Sequence, residues 1–309
     1  MRVDLSQIIK EALEVSCEGF CKIVDETTQL LRMEDGKIGN FEISGRLLKL
    51  EPVGEALVVG DLHGDLESLI DILKGSNFIQ KMSQEASAVM IFLGDYGDRG
   101  DYSAEVYCTV LKIKLLFQEQ VILMRGNHEG PEDLLPSPYD LPVQFQTKFG
   151  KKWKKAHHKI RELFPYLCNL VLIKERYLMV HGGLPGEAYT IEDLAFAHVS
   201  HPKRDLLENM LWSDPDETVE ETESSPRGAG RLFSEKVTKN ALEKLNANIV
   251  IRGHEPCEEG FKVNHNGKVL TLFSRKGSPY FNACGAYLSV ELSKRIENTE
   301  KLIPYIRKF

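Results

Sequence analysis

The sequence has no run of about 18 apolar residues, the length a helix needs to cross a bilayer. Its opening stretch, MRVDLSQIIKEALEVS, carries Asp4, Glu11 and Glu14, charges that a secretory leader does not tolerate in its apolar region. A soluble cytoplasmic chain without a membrane partner is expected. Cysteine is sparse: the thiols stand at Cys17, Cys21, Cys108, Cys168, Cys257 and Cys284. None of these spacings is that of a zinc knuckle or a disulfide framework, so a reducing compartment fits. Basic excess is missing too. A formal net charge of -7 leaves no surplus of cations for a phosphate backbone, which excludes nucleic acid as the expected partner. There is no internal repeat and no low-complexity tract. With 309 residues and 42% hydrophobic content, the chain can build one large or two modest domains around a real core.

Residues 4–33 read as helical, capped by Asp4 or Ser6, with apolar positions at Ile8, Ile9, Ala12, Leu13 and Val15. Residues 1–45 are therefore expected to form an N-terminal helical segment packing on a domain that spans 46–309. From residue 46 onward short apolar runs alternate with amphipathic stretches, the texture of an α/β layered fold. Two tighter pairings, LCNLVLIKERYLMV around Glu175-Arg176 and FKVNHNGKVLTLFS around Asn266-Gly267, read as hairpins and predict mixed sheets. SDPDETVEETESSPRGAGRLF (213–233) has few apolar residues and exceeds an ordinary connector, so it is expected to be a functional loop. The run KFGKKWKKAHHK (148–159) holds six lysines around Trp153. It is expected to be a solvated helix face, a docking surface for acidic or phosphorylated partners being the second reading.

Five apolar runs end in the same way. ALVVGDLHG, MIFLGDYGDRG, VILMRGNHE, YLMVHGG and IVIRGHE each stop at Asp, Asn or His beside glycine. In α/β folds ligands bind beyond the carboxyl ends of the strands, and glycine permits the sharp turn that lets neighbouring side chains converge there. The candidates are Asp61, His63, Asp95, Asn127, His181 and His254: two carboxylates, one amide oxygen and three imidazoles. A nitrogen and oxygen set without thiolate suits manganese, iron, cobalt or zinc better than calcium or magnesium. It is too large for one catalytic metal with open positions and suits two that share a carboxylate. Two divalent ions against two carboxylates and one bridging hydroxide leave a positive centre, which attracts a phosphoryl group.

GDLHG, GDYGDRG, GNHE, HGG, WSDP and RGH occur in an order and spacing that resembles the PPP-type serine/threonine protein phosphatases, a branch of the calcineurin-like metallophosphatases. The resemblance covers roughly residues 46–292 and is nearest in pattern to single-domain prokaryotic and archaeal members. It implies an α/β (α+β) fold in which two mixed sheets form a central sandwich flanked by helices. It also implies two divalent transition-metal ions, manganese foremost and iron or zinc as alternatives, and phosphoprotein or phosphopeptide substrates carrying phosphoserine or phosphothreonine. Asp61 and His63 would hold one metal, Asp95 would bridge, and Asn127, His181 and His254 would hold the other. A metal-bridging hydroxide would attack phosphorus, and His128, paired with Asp98, would protonate the leaving oxygen; that pairing orients the imidazole and favours its protonated form. Arg99 and Arg227 would clamp phosphate oxygens, with Asn127 and Tyr280 also on the substrate side, while Arg125 and Arg252 would add supporting charge. Two stretches depart from the family: LFSRKGSPYFNACGAY, where Tyr280 does not align cleanly, and GPEDLLPSPYD after GNHE. The alternatives are a diadenosine polyphosphate hydrolase, whose relatives read GNHD rather than GNHE, a broader phosphoesterase, and an inactive phosphoprotein-binding scaffold.

Overall fold

A computed structural model describes residues 3–309. Two sheets stack at its centre. The larger has the order β1-β2-β3-β7-β8-β12-β14-β13, built from β1 (Gly36–Ile38), β2 (Phe41–Ser44), β3 (Leu47–Leu50), β7 (Leu170–Ile173), β8 (Tyr177–Val180), β12 (Ile249–Arg252), β13 (Phe261–Asn264) and β14 (Val269–Leu272). The smaller has the order β16-β15-β4-β5-β6, from β4 (Glu55–Val59), β5 (Val89–Phe92), β6 (Val121–Leu123), β15 (Ala286–Glu291) and β16 (Ile306–Lys308). Both are mixed, and the hairpins β7–β8 and β13–β14 pair antiparallel as expected.

Why the strands read as unbroken apolar runs is clear from their two faces. Along β4, Ala56 and Val58 enter the core between the sheets, where they meet Ile91, Met179 and Ile251. Leu57 and Val59 point the other way, with Met90 and Phe92, into a core under helices. On the far side Leu178, Val180 and Val250 of the larger sheet face a third core. Strands covered on both faces need no polar alternation. The outer layers are α1 (Leu5–Leu13), α2 (Cys17–Met33), α3 (Leu66–Ser76), α4 (Phe78–Gln84), α5 (Ser103–Leu116), α6 (Leu141–Phe149) and α7 (Trp153–Leu163) on one side. On the other lie α8 (Ile191–Ala195), α9 (Ala197–Ser200), α10 (Leu206–Trp212) and α11 (Glu235–Leu245). No described helix is long and apolar enough to cross a membrane.

Three expectations change. The helix read over 4–33 is two helices: Asp4 caps α1 by accepting from the amides of Ser6 and Gln7, and Ser16 caps α2 by accepting from Gly19, so the chain restarts where a second cap is available. Residues 36–44, read as part of a helical segment, form β1 and β2 of the larger sheet; Met1 and Arg2 of that segment lie outside the described residues. The stretch 213–233 is not wholly irregular but folds into a small sheet of β9 (Asp214–Pro215), β10 (Thr222–Ser224) and β11 (Arg231–Phe233). The basic run closes α6 and forms α7. Three of its six lysines are answered by acids of neighbouring helices, Lys152 by Glu18 at 2.5 Å, Lys159 by Asp25 at 3.0 Å and Lys148 by Glu105 at 2.6 Å. Ala156, Ile160 and Leu163 bury the opposite face, which is the arrangement of a solvated helix.

Candidate active site

β4, β5 and β6 run parallel to one another, as do β8 and β12, and the five Asp, Asn and His turns gather at their carboxyl ends. The turns lock together through backbone contacts. The amides of Leu62 and His63 donate to the Asp95 carbonyl at 3.0 and 2.8 Å. The His254 amide donates to both oxygens of Asp61, at 2.9 and 3.1 Å, and the His128 amide to Asp95 Oδ1 at 3.0 Å. This closeness explains the glycines: a Cβ on Gly253 would fall 2.3 Å from Asp61 Oδ1, and one on Gly126 would fall 2.1 Å from Asp95 Oδ1. The turns also hold His63, Asp95, Asp98, Arg99 and His254 at positive φ, a conformation that non-glycine residues keep only where their surroundings impose it. Gly253→Ala is therefore expected to leave the chain folded but to weaken metal affinity by roughly 10- to 100-fold, as displacement of a ligand's support does. Titration against a competing chelator measures this; wild-type affinity would contradict the packing argument.

The donor atoms converge in two buried groups that share one residue. His63, Asp95 and His128 form one, and Asp95, His181 and His254 the other, each with its atoms within 4.8 Å of one another. Asp61 joins the first side, with Oδ2 3.6 Å from His63 Nε2. Asn127 joins the second, its Oδ1 lying 3.0 Å from His181 Nε2 and 2.9 Å from His254 Nδ1. His63 Nδ1 faces the Gly97 carbonyl and His181 Nδ1 the Leu93 carbonyl, so their Nε2 atoms are left for the centre. Burial opposes charge on His181, yet Asp95 and the nearby Asp61 and Glu129 raise its pKa to about 9. Two buried carboxylates, Asp61 and Asp95, among imidazoles and an amide oxygen and without thiolate, fit divalent transition-metal ions.

His128 Nδ1 lies 2.6 Å from Asp98 Oδ2. Burial disfavours the ionised form of Asp98, but the bond and charge of His128, the Asp140 amide and Arg99 outweigh it and hold the carboxyl below its usual range. An ionised carboxylate only accepts, so Nδ1 carries the hydrogen. The pairing was expected to favour protonated His128. It acts in that direction, as does Asp95, but burial is the larger effect and leaves the imidazole below its ordinary pKa.

Asp61, Asp98 and His181 lie fully buried beneath the centre. His63, Asp95, Arg99, Asn127, His128, Arg227, His254 and Tyr280 line the cleft of about 580 Å³ above it. Two further carboxylates organise the site without having been singled out in the sequence. Glu129 accepts from the amides of Asp95, Tyr96 and Gly126 and from the Tyr107 hydroxyl; burial, with Asp95 nearby, pushes its pKa up to about 7. Asp214 bridges Arg227 Nε at 2.6 Å and Arg252 Nη2 at 2.9 Å. Burial opposes its ionisation, and His254, Arg252 and Arg227 lower its pKa to about 2 all the same. Arg252 is wholly buried and also binds the Gly182 carbonyl, while Arg125 braces the Glu129 carbonyl at 2.8 Å. Both act inside the fold, and Arg227 remains at the cleft. The only sequence signals for Glu129 and Asp214 are their places in GNHE and WSDP.

Comparison with known proteins agrees with this geometry. Residues 55–258 match the calcineurin-like phosphoesterase family. A probable serine/threonine-protein phosphatase of Encephalitozoon cuniculi is 31% identical over 77% of this chain, which spans 50% of that relative's length. The serine/threonine-protein phosphatase 6 catalytic subunit of Caenorhabditis elegans is 32% identical over 76% of this chain and 68% of its own. Among solved structures, a Saccharomyces cerevisiae protein serine/threonine phosphatase with similarity to human phosphatase PP5 superposes with a TM-score of 0.76 at 24% identity, covering 96% of this chain and 90% of that one. A cold-active protein-tyrosine phosphatase of a Shewanella species shares the fold with a TM-score of 0.58 at 20% identity, over 81% and 78% of the two chains.

Proposed function

Because the chain belongs to the calcineurin-like phosphoesterase family and is similar to serine/threonine-protein phosphatases, we propose that it hydrolyses phosphoserine and phosphothreonine monoesters in proteins or peptides. The observation that carries this reading is Asp95, shared by two donor groups, beside a His128 whose Nδ1 is tied to Asp98. Two divalent cations, manganese foremost and iron or zinc as alternatives, held by Asp61, His63 and Asp95 and by Asp95, Asn127, His181 and His254, would polarise the phosphoryl oxygens and lower the pKa of a bound water. Arg99 and Arg227 take the free phosphate oxygens, supplying locally the positive charge that the net acidic chain lacks. With Nδ1 fixed by Asp98, His128 Nε2 delivers a proton to the departing serine or threonine oxygen.

The catalytic domain is assigned to residues 46–309, extended by β1 and β2, with α1 and α2 packed against it. A cytoplasmic location is assigned from six free cysteines, five of them buried, which suit a reducing compartment. The deciding experiment is an assay of purified, manganese-supplemented protein against phosphoserine, phosphothreonine and phosphotyrosine peptides and dinucleoside polyphosphates. Hydrolysis of the first two is expected; turnover of the dinucleotides alone would overturn the proposal.

Arg99→Ala and Arg227→Ala are each expected to reduce kcat/KM by about 2 to 4 kcal/mol of transition-state binding. Lysine should rescue poorly, since it lacks the planar fork that matches two phosphate oxygens. Wild-type kinetics in Arg227→Ala would remove the β9–β11 segment from the substrate site.

A further inference from the structure

The loop that follows β14 is where the sequence departs from the family pattern, and one residue there has no part in the chemistry above. Arg275 is 3% exposed, and its hydrogen bonds go to carbonyls: Nη1 donates to His63 O at 3.1 Å and Nη2 to Ser278 O. Its guanidinium carbon lies 5.2 Å from the centroid of the Tyr280 ring. That ring in turn lies 5.3 Å from the His63 imidazole and 5.0 Å from Phe273. The loop closes on itself behind Arg275: Asn282 Nδ2 donates to the carbonyls of Arg275 and Cys284 at 2.8 and 2.7 Å, and the Tyr280 amide to Gly277 O at 3.0 Å.

A buried guanidinium is costly to desolvate, so its presence here needs the contacts it makes. The loop also shows that its shape is imposed. Phe281, next to Tyr280, is 77% exposed and sits at φ 60, an unfavourable backbone for a bulky aromatic that gains little packing in return. Something must hold the neighbouring residues firmly enough to keep it there.

We propose that Arg275 is a positioning residue, which rivets the 275–282 loop to the carbonyl of His63 and so fixes Tyr280 over the catalytic cleft. The inference rests on the phosphatase reading for its kinetic consequence, since Tyr280 matters there as a phosphate contact. The guanidinium fork reaches two carbonyls of two different turns and carries the tyrosine on its face. The charge of Arg275 is spent on holding a ring, and phosphate is left to Arg99 and Arg227.

The test is steady-state kinetics on a phosphoserine peptide with metal-replete protein, together with amide exchange. Arg275→Met is expected to raise KM about tenfold or more while kcat changes little and metal content stays full, the pattern of a lost uniform contact to a charged group. Tyr280→Phe should do the same, and the double variant should be no worse than either single one, because the two residues act as a unit. Arg275→Lys, which reaches one carbonyl only, should fall between wild type and Arg275→Met and remain testable should Arg275→Met fail to fold. Amide exchange over 276–282 should rise in Arg275→Met and stay unchanged elsewhere. Additive losses, unchanged exchange in the loop, or a KM equal to wild type would overturn the proposal. A metal-loaded wild type that hydrolyses no phosphomonoester would overturn the phosphatase reading instead, and Arg275 would then be judged on the exchange of its loop alone.

Discussion

Asp95→Asn is expected to lose more than about a hundredfold in kcat/KM, beyond what removal of an outer-shell partner costs, and to lose cations from both donor groups. The reason lies in how its two oxygens are used. Oδ1 accepts from the His128 amide at 3.0 Å. Oδ2 lies 3.3 Å from His181 Nε2 and 3.5 Å from His63 Nε2, at the junction of the two groups. Asparagine has the same shape but one donor in place of an acceptor. If its nitrogen takes the Oδ1 position, it meets the His128 N–H donor to donor; if it takes the Oδ2 position, both groups lose their anionic ligand. Neither orientation is satisfactory, and an unpaired buried donor carries its own penalty. Asp61→Asn should be milder, because Asp61 serves one group and one of its oxygens can still accept from His254. Elemental analysis of both variants beside their kinetics makes the comparison. Full metal content and unimpaired activity in Asp95→Asn would rule out the shared ligand.

His128→Asn should separate two substrates. A serine or threonine alkoxide is a very poor leaving group, so acid catalysis contributes about 10² to 10⁴ in rate, whereas the phenolate of p-nitrophenyl phosphate departs without help. Hydrolysis of phosphoserine peptides should therefore collapse while p-nitrophenyl phosphate is largely spared. A competing role is visible in the geometry, because the free Nε2 of His128 lies 3.9 Å from Asp95 Oδ2 and belongs spatially to the first donor group. Were His128 a ligand, its replacement would remove metal and slow both substrates alike. Metal content decides between these outcomes, and equal losses on the two substrates in a fully metal-loaded variant would exclude the general-acid role.

What the sequence made legible was local chemistry. Asp61, Asp95, Asn127, His181 and His254 each follow an apolar run and adjoin a glycine, so both their position beyond a strand and their convergence could be read. The pairing of Asp214 with Arg252 could not, because it joins residues 38 apart through tertiary contact alone. Glu129 looked like one more polar residue in a turn; that it points inward to three amides depends on where β5 lies beside β6. Periodicity carried the helical reading across Ser16 because both helices show the same stripe. The strands of the 213–233 stretch are only two or three residues long, and pairing with each other, not propensity, makes them strands. For His128 the attraction of Asp98 is written in GDYGDRG and acts as expected, but the burial that opposes it is written nowhere.

The amide of His254 and the carboxylate of Asp61 meet across 193 residues of chain. Asp61, Asp95 and Asn127 come from the smaller sheet, His181 and His254 from the larger, so neither half owns a complete centre. Contacts of such long sequence separation carry a loop-closure cost that local pairings do not. During synthesis, a nascent chain that has not yet reached residue 254 presents Asp61, Asp95, Asn127 and His181 without the imidazole of His254. The second donor group is therefore complete only when strands of both sheets are in place, and bound metal would report that the two have docked.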